Sequence, residues 1–181
     1  MSKLSDKIWF TRKARIQASE RLLMNNQHAQ FTLILYSLVN VALSIYMLKE
    51  SNPVGRNSDI TLTIISVCIL VLSLFISNID FKGRAEKLKK NYLNLHELYE
   101  KSELPNADEL QINSEYIKLL SDSENHKTID DKFFRVTNYK SLSSRKPTIP
   151  DFIEVIFYTF IRKLLIISIY TAPFALLIFN K

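Results

Sequence analysis

The sequence predicts an all-α membrane protein: a transmembrane helical hairpin continuing into cytoplasmic helices, with a C-terminal hydrophobic helix. Three observations predict it. Hydrophobic residues make up 47% of the 181-residue chain and are gathered into three blocks. Two of these blocks run 18 and 20 residues without a charge, close to the ~20 residues a helix needs to cross a ~30 Å hydrocarbon layer. The chain has only two glycines and one cysteine. That excludes a Gly-rich phosphate loop, a dinucleotide-binding turn and a disulfide framework. Mean hydropathy is +0.01, a value that suits a soluble protein; the segregation of the apolar residues does not. The net charge of +6 asks for an anionic partner, and lipid headgroups supply one as well as nucleic acid does.

The first segment, 1–30, reads as a cytoplasmic basic amphipathic helix carrying Lys3, Lys7, Arg12, Lys13, Arg15 and Arg21. Ile8, Arg12, Arg15 and Ser19 lie along one side, and Trp9, Ile16 and Leu23 repeat at seven. Trp9 and Phe10 either sit at the bilayer surface with the bases against headgroups, or pack on other cytoplasmic helices.

The transmembrane hairpin occupies 31–79, with spans at 31–48 and 60–79. The second span holds thirteen Ile, Leu, Val or Phe residues, which favour insertion by roughly 4 to 8 kcal/mol. The run Ser51-Asn52-Pro53-Val54-Gly55 marks a tight connection, and Asp59 is placed to cap the second helix. Bases set the orientation. Six precede the first span, the loop has only Lys49 and Arg56, and Lys82, Arg84, Lys87, Lys89 and Lys90 follow the second. The positive-inside rule then puts the N-terminus and the central region in the cytoplasm. No signal peptide is expected, because the first apolar block starts far from the N-terminus and a second span follows.

Residues 80–136 form the cytoplasmic helical region. From Asp80 to Lys101 the chain reads as continuing straight out of the second span, one long helix with Leu88, Tyr92, Leu95 and Tyr99 on a single stripe. A shorter helix follows over 108–122, its apolar side made by Ile112, Tyr116, Leu119 and Leu120. Residues 137–151, rich in Ser, Thr, Lys and Pro, read as a linker.

The C-terminal segment, 152–181, is an interfacial or transmembrane helix. Asp151 followed by Glu154 resembles a capping box that starts it. Arg162 and Lys163 divide an aromatic first piece from Leu164 to Asn180, which is uncharged for 17 residues but interrupted by Pro173. In the preferred reading the basic pair anchors at the headgroups and 164–180 crosses, leaving Lys181 outside. In the other, the stretch is re-entrant or packed on protein.

Polar residues recur within the spans. Ser37, Asn40 and Ser44 share one face of the first; Thr63, Ser66, Ser73 and Ser77 lie near one face of the second. They either line a water path or make helix-packing contacts. Two spans cannot enclose a pore, so a channel requires a homo-oligomer. Trp9, Lys82, Arg84, Arg162 and Lys163 are candidate membrane anchors. His126 and Asp130 have the i, i+4 spacing of helical metal ligands, but no third ligand is in view, so a capping or hydrogen-bonding role is expected. No cofactor, metal site or catalytic residue is expected. The lipid bilayer is the expected partner of the basic patch, and nucleic acid is not.

The order of these pieces resembles the SLATT-domain family, two-transmembrane proteins associated with bacterial nucleotide-synthesis and nucleotide-sensing domains. The resemblance is carried by Arg15, Ala18, Glu20, Arg21 and Leu22; by Arg84, Ala85, Glu86, Tyr92 and Leu95; and by Tyr116, Leu119, Leu120, Ser123, Glu124, Asn125, His126 and Asp130. It covers about residues 8–135. It implies a membrane effector of an anti-phage, abortive-infection type of system that breaches the inner membrane when triggered. The trigger would be a separate sensor protein, either a nucleotide-signalling enzyme or a reverse transcriptase. The extra C-terminal block departs from a minimal two-span pattern.

Overall fold

Six helices follow one another in the computed structural model, which describes residues 3–49 and 57–179. They are α1 (Lys3–Tyr46), α2 (Ser58–Ile79), α3 (Phe81–Ser102), α4 (Glu109–Ser121), α5 (Thr128–Thr137) and α6 (Ile149–Phe179). Helix accounts for 83% of the described residues, and no strand occurs among them. The turn run Ser51 to Gly55, the loop base Arg56 and the terminal Lys181 lie outside the described residues.

The chain divides into two units. One takes residues 1–24 and 81–158, the other 25–80 and 159–181. In the first unit α1 packs by a stripe of Leu4, Ile8, Arg15, Ala18, Ser19 and Leu22, all buried. Small side chains let α1 and α3 approach closely: Ala18 meets Ala85, and the Ser19 hydroxyl donates to the Ala85 carbonyl at 3.0 Å. At the other end of this contact Leu4 and Ile8 meet Leu95, Leu98 and Ile112. The deepest line of α3 is Ala85, Leu88, Asn91, Leu95 and Leu98. Tyr92 and Tyr99 border that line instead of forming it.

Residues 138–148 fold back on α1. Leu142 is buried with Phe10 and Phe134, Ser144 donates to Asp6 at 2.7 Å, and the Arg145 guanidinium lies 4.9 Å over the Phe10 ring.

Three helix boundaries differ from the sequence reading. The second span and the segment after it are two helices, because Asp80 between them adopts a left-handed conformation (φ 48, ψ 53). Aspartate tolerates that region better than most residues, and a residue there ends a helix. The α6 cap is Thr148, with Asp151 at the third helical position. The Asp151 carboxylate accepts both the Thr148 amide and its hydroxyl at 2.9 Å, the reciprocal arm of a capping box. α6 then runs through Arg162, Lys163 and Pro173 without a break. Helix α2 starts after Asn57, so Asp59 lies in its first turn.

The second unit has the surface of a protein solvated by lipid. Ile34, Leu38, Val41 and Ile45 on α1, and Ile64, Val67, Leu70, Val71, Leu74 and Phe75 on α2, are all more than half exposed. A soluble protein of this size does not leave whole helices of large apolar residues bare to water.

Candidate functional site

The polar residues inside the apolar helices are mostly satisfied by protein, which the hydrocarbon layer demands of any polar group it holds. Asn40 donates its amide to the Ser66 hydroxyl at 2.8 Å, and Ser66 donates on to the Leu62 carbonyl at 2.9 Å. This relay joins α1 to α2. Ser44 and Thr63 turn back on their own helices, donating to the carbonyls of Asn40 and Asp59 at 2.9 and 2.8 Å. Ser37, Ser73 and Ser77 are exposed. The structure therefore pairs the side chains of Asn40 and Ser66 across the two helices; Ser44 reaches only the Asn40 backbone, and Ser37, Thr63, Ser73 and Ser77 stay apart from the pair. The Asn40 side-chain oxygen, Oδ1, is buried and accepts no hydrogen bond among the described residues.

A second set of contacts joins α1 to α6. Arg162 donates to the Asn25 side-chain oxygen at 2.9 Å. The His28 Nδ1 and the Tyr170 hydroxyl are 2.6 Å apart, and the Phe31 ring meets Tyr170 edge-on at 5.2 Å. Tyr36 donates to the Ile169 carbonyl at 3.0 Å. Across these hydrogen bonds the partner on α6 stays 133 to 142 positions ahead of that on α1, so the two helices run in the same direction. Of the anchor candidates, Lys82 and Lys163 are exposed, Arg162 is held by Asn25, and Trp9 is half-buried against Phe10 and Phe134.

In the first unit the residues that carried the resemblance converge. Arg15 is wholly buried. Its guanidinium donates to the Leu119 and Leu120 carbonyls at 3.0 and 3.1 Å and to the Asn91 side-chain oxygen, while Asn91 itself donates to Leu119 at 2.7 Å. These carbonyls belong to the last turn of α4, where a helix has acceptors without donors and a partial negative charge. Arg15 thus caps α4 from α1, and its charge faces a helix terminus and not a carboxylate. Burial pushes its pKa down, while Tyr116 and Asp122 nearby pull it up. Tyr116 also shares a 2.8 Å hydrogen bond with Thr11.

Arg21 and Asp130 form the second junction. Asp130 is 3% exposed and accepts from Arg21 Nε and Nη2 at 2.7 and 3.0 Å. The same carboxylate accepts the Lys127 amide at 2.8 Å, closing the first turn of α5. This hydrogen-bonded pair raises the Arg21 pKa against the opposing effect of burial. A third pair, Arg84 with Glu124 at 2.7 Å, is about 40% exposed on both sides. His126 is half-buried beside Arg15, Asp130 and Asp131; burial lowers its pKa, Asp131 and Asp130 oppose that, and Arg15 adds to it. Glu20, Glu86 and Asn125 are exposed, and Tyr92 is half-buried.

Sequence reasoning missed Asn91, Tyr36, His28, Tyr170, Lys132 and Arg135, and it gave Asp151 a capping role without its ion-pair partners. Asn91 carried a usable signal: it falls between Leu88 and Leu95 on the apolar line of α3. Lys132 bridges Asp151 at 3.3 Å and Glu154, and Arg135 reaches Asp151 at 3.4 Å. The Lys132 pKa is raised first by Glu154, and that of Asp151 is lowered first by the Thr148 amide.

An all-helical chain with two helices long and apolar enough to cross a bilayer, their apolar stretches 0% and 6% buried, is a membrane protein. The chain belongs to the SMODS and SLOG-associating 2TM effector domain family 5, whose family model matches residues 1–179. It is thus a member of a family of membrane effectors in defence systems and not of a known enzyme family. No curated protein and no solved structure matches it.

Proposed function

We propose that the chain is the membrane-breaching effector of an anti-phage system, a homo-oligomer that permeabilises the bacterial inner membrane when a separate sensor protein is triggered. The sensor is a nucleotide-signalling enzyme, as the family name implies, or a reverse transcriptase. The observation that carries the reading is the pairing of family membership with apolar helices that are bare along most of their length. Two or three helices per copy cannot surround an aqueous path, so permeabilisation requires several copies. The excess of bases before the first span and after the second supports a cytoplasmic N-terminus and central region. The same-direction run of α1 and α6 supports a third crossing by residues 164–180.

The test is membrane potential, read with a voltage-sensitive dye in infected cells carrying the chain and its neighbouring genes. Depolarisation before lysis is expected. Cells that stay polarised while infection is still blocked would remove the reading.

A second reading, a non-conducting anchor for a cytoplasmic partner, draws on the Asn40–Ser66 bond, which occupies in helix packing the side chain best suited to a water path. Replacing Ser37, Asn40 and Ser44 together by leucine separates the two. Loss of depolarisation with normal membrane insertion supports the effector; unchanged protection supports the anchor.

A further inference from the structure

Charge is divided unevenly along this chain. Residues 97–124, which comprise the end of α3, the junction after it and α4, hold eight acids against two bases, Lys101 and Lys118, in a chain whose net charge is +6. Some of these acids have partners within the same unit. Glu115 lies beside Lys101, Glu124 beside Arg84 and Glu100 beside His96. Glu97, Glu103 and Glu109 are exposed and form no ion pair among the described residues.

The same junction carries an open groove of about 150 Å³, whose walls include Leu4, Leu104, Pro105, Ala107, Glu109 and Ile112. Leu4 and Ile112 belong to the buried cluster shared by α1, α3 and α4, whereas Leu104 is more than half exposed. A space of about this size takes one benzene-sized group. Protein interfaces are anchored in this way, by an apolar side chain seated in a pocket and ringed by polar contacts. All of these residues lie in the first unit.

The carboxylates decide what occupies the groove. Anionic lipid headgroups are repelled by a surface of their own sign, and nucleic acid is repelled for the same reason. Two copies meeting through this face would set one acidic surface against the other, a juxtaposition that costs free energy. The chain's own exposed bases on α3, Lys82, Lys87, Lys89 and Lys90, follow the second span directly in sequence, where anionic headgroups draw them. The occupant that fits is a segment of another protein with Lys or Arg around one aliphatic or aromatic side chain.

We propose that the groove at the α3–α4 junction docks a Lys- and Arg-rich segment of a separate protein, with one apolar side chain of that segment seated against Leu104 and Ile112. Glu103 and Glu109 supply the attraction, which speeds encounter and rejects acidic surfaces. The inference rests on the reading above that a separate sensor triggers the chain, and it names the surface the sensor uses.

The test places the photo-cross-linker benzoylphenylalanine at Leu104 of the full chain, in infected cells that carry its neighbouring genes. Leu93, exposed on α3, takes the same group as a control. After irradiation the adducts are identified by mass spectrometry. One adduct with another protein is expected, joined through a segment rich in Lys and Arg and about tenfold more abundant than at Leu93. In the same chain Glu103→Lys with Glu109→Lys should lower its yield about tenfold, the equivalent of about 1.4 kcal/mol. Helical circular dichroism of the purified variant checks its fold; should it misfold, Glu103→Gln with Glu109→Gln removes the charge more gently and is read in its place. A dimer of the chain, a lipid adduct, equal yields at Leu104 and Leu93, no adduct, or an adduct that survives the charge changes each overturn the proposal. A charge-reversed chain that still depolarises infected cells removes this surface and leaves the permeabilising reading. The expected adduct in cells that stay polarised while infection is blocked supports this surface and removes the permeabilising reading.

Discussion

The Tyr36 hydroxyl donates to the carbonyl of Ile169, 3.0 Å away, and that carbonyl is the one Pro173 leaves without a helical donor. In an unbroken helix the amide four residues on would fill it, and proline has no N–H. Inside a bilayer no water can substitute. The contact therefore explains how α6 carries a proline through an apolar stretch and why a tyrosine stands on α1 opposite it.

Tyr36→Phe should destabilise the folded chain in bicelles by about 0.6 to 1.7 kcal/mol, from the average to the largest value for hydrogen bonds between membrane helices. Pro173→Ala restores the missing amide. In that background Tyr36→Phe should cost much less. A double-mutant cycle from reversible unfolding in mixed detergent reads the difference, and equal costs in both backgrounds would contradict the explanation.

The Arg21–Asp130 pair should matter far more than Arg84–Glu124, although both are bidentate. Asp130 is buried and also closes α5, so Asp130→Ala leaves Arg21 without its carboxylate and the Lys127 amide without its acceptor. A cost of about 3 to 5 kcal/mol is expected. Arg84→Ala removes a pair that water already screens, and should cost less than about 1 kcal/mol. Urea denaturation followed by tryptophan fluorescence suits this comparison, because Trp9 lies against Phe134 on α5.

Arg15→Lys is expected to behave as a severe substitution. The planar guanidinium reaches Leu119, Leu120 and Asn91 at once, and a single ammonium cannot reproduce that fork. A loss of about 1 to 3 kcal/mol, the cost of an unmet buried acceptor, should appear in the same denaturation assay. Faster amide exchange is expected in the last turn of α4.

Stability should fall with acid through His126. Burial holds the imidazole below its ordinary 6.5, so the folded chain prefers the neutral ring. As pH drops, the unfolded chain binds the proton first. The contribution is therefore whole above about 6.5 and is lost as pH falls from there through the lower folded-state value. Asp151, held below its ordinary 3.8 by the Thr148 amide, keeps its contribution above that value and loses it as pH falls further. The urea midpoint should decrease between pH 7.5 and 5.5, and His126→Phe should flatten that slope while leaving the decline below pH 4.

Much of the polar framework was visible one residue at a time. Arg15, Arg21, Arg84, Glu124 and Asp130 stood out from the resemblance, yet nothing in their spacing says that Arg21 meets Asp130 and Arg84 meets Glu124. Those pairings join residues 109 and 40 positions apart and follow from how α1, α3 and α5 pack. Asn91 was overlooked because a stripe drawn through Leu88, Tyr92 and Leu95 is rotated slightly from the true one. On the true line Asn91 accepts from Arg15 and donates to the Leu119 carbonyl.

The sequence by itself determined that this chain is helical and lipid-solvated. Runs of about 20 uncharged apolar residues have few other stable fates, and the flanking bases predict which ends stay inside. Tertiary structure alone decided the break at Asp80, the capping of α4 by a buried arginine, and the docking of Tyr36 on a carbonyl opened by proline. Composition and periodicity set the solvent a segment prefers. The last two of these features depend on a donor and an acceptor that meet only once the helices have packed, whereas the break at Asp80 lies in a left-handed backbone conformation.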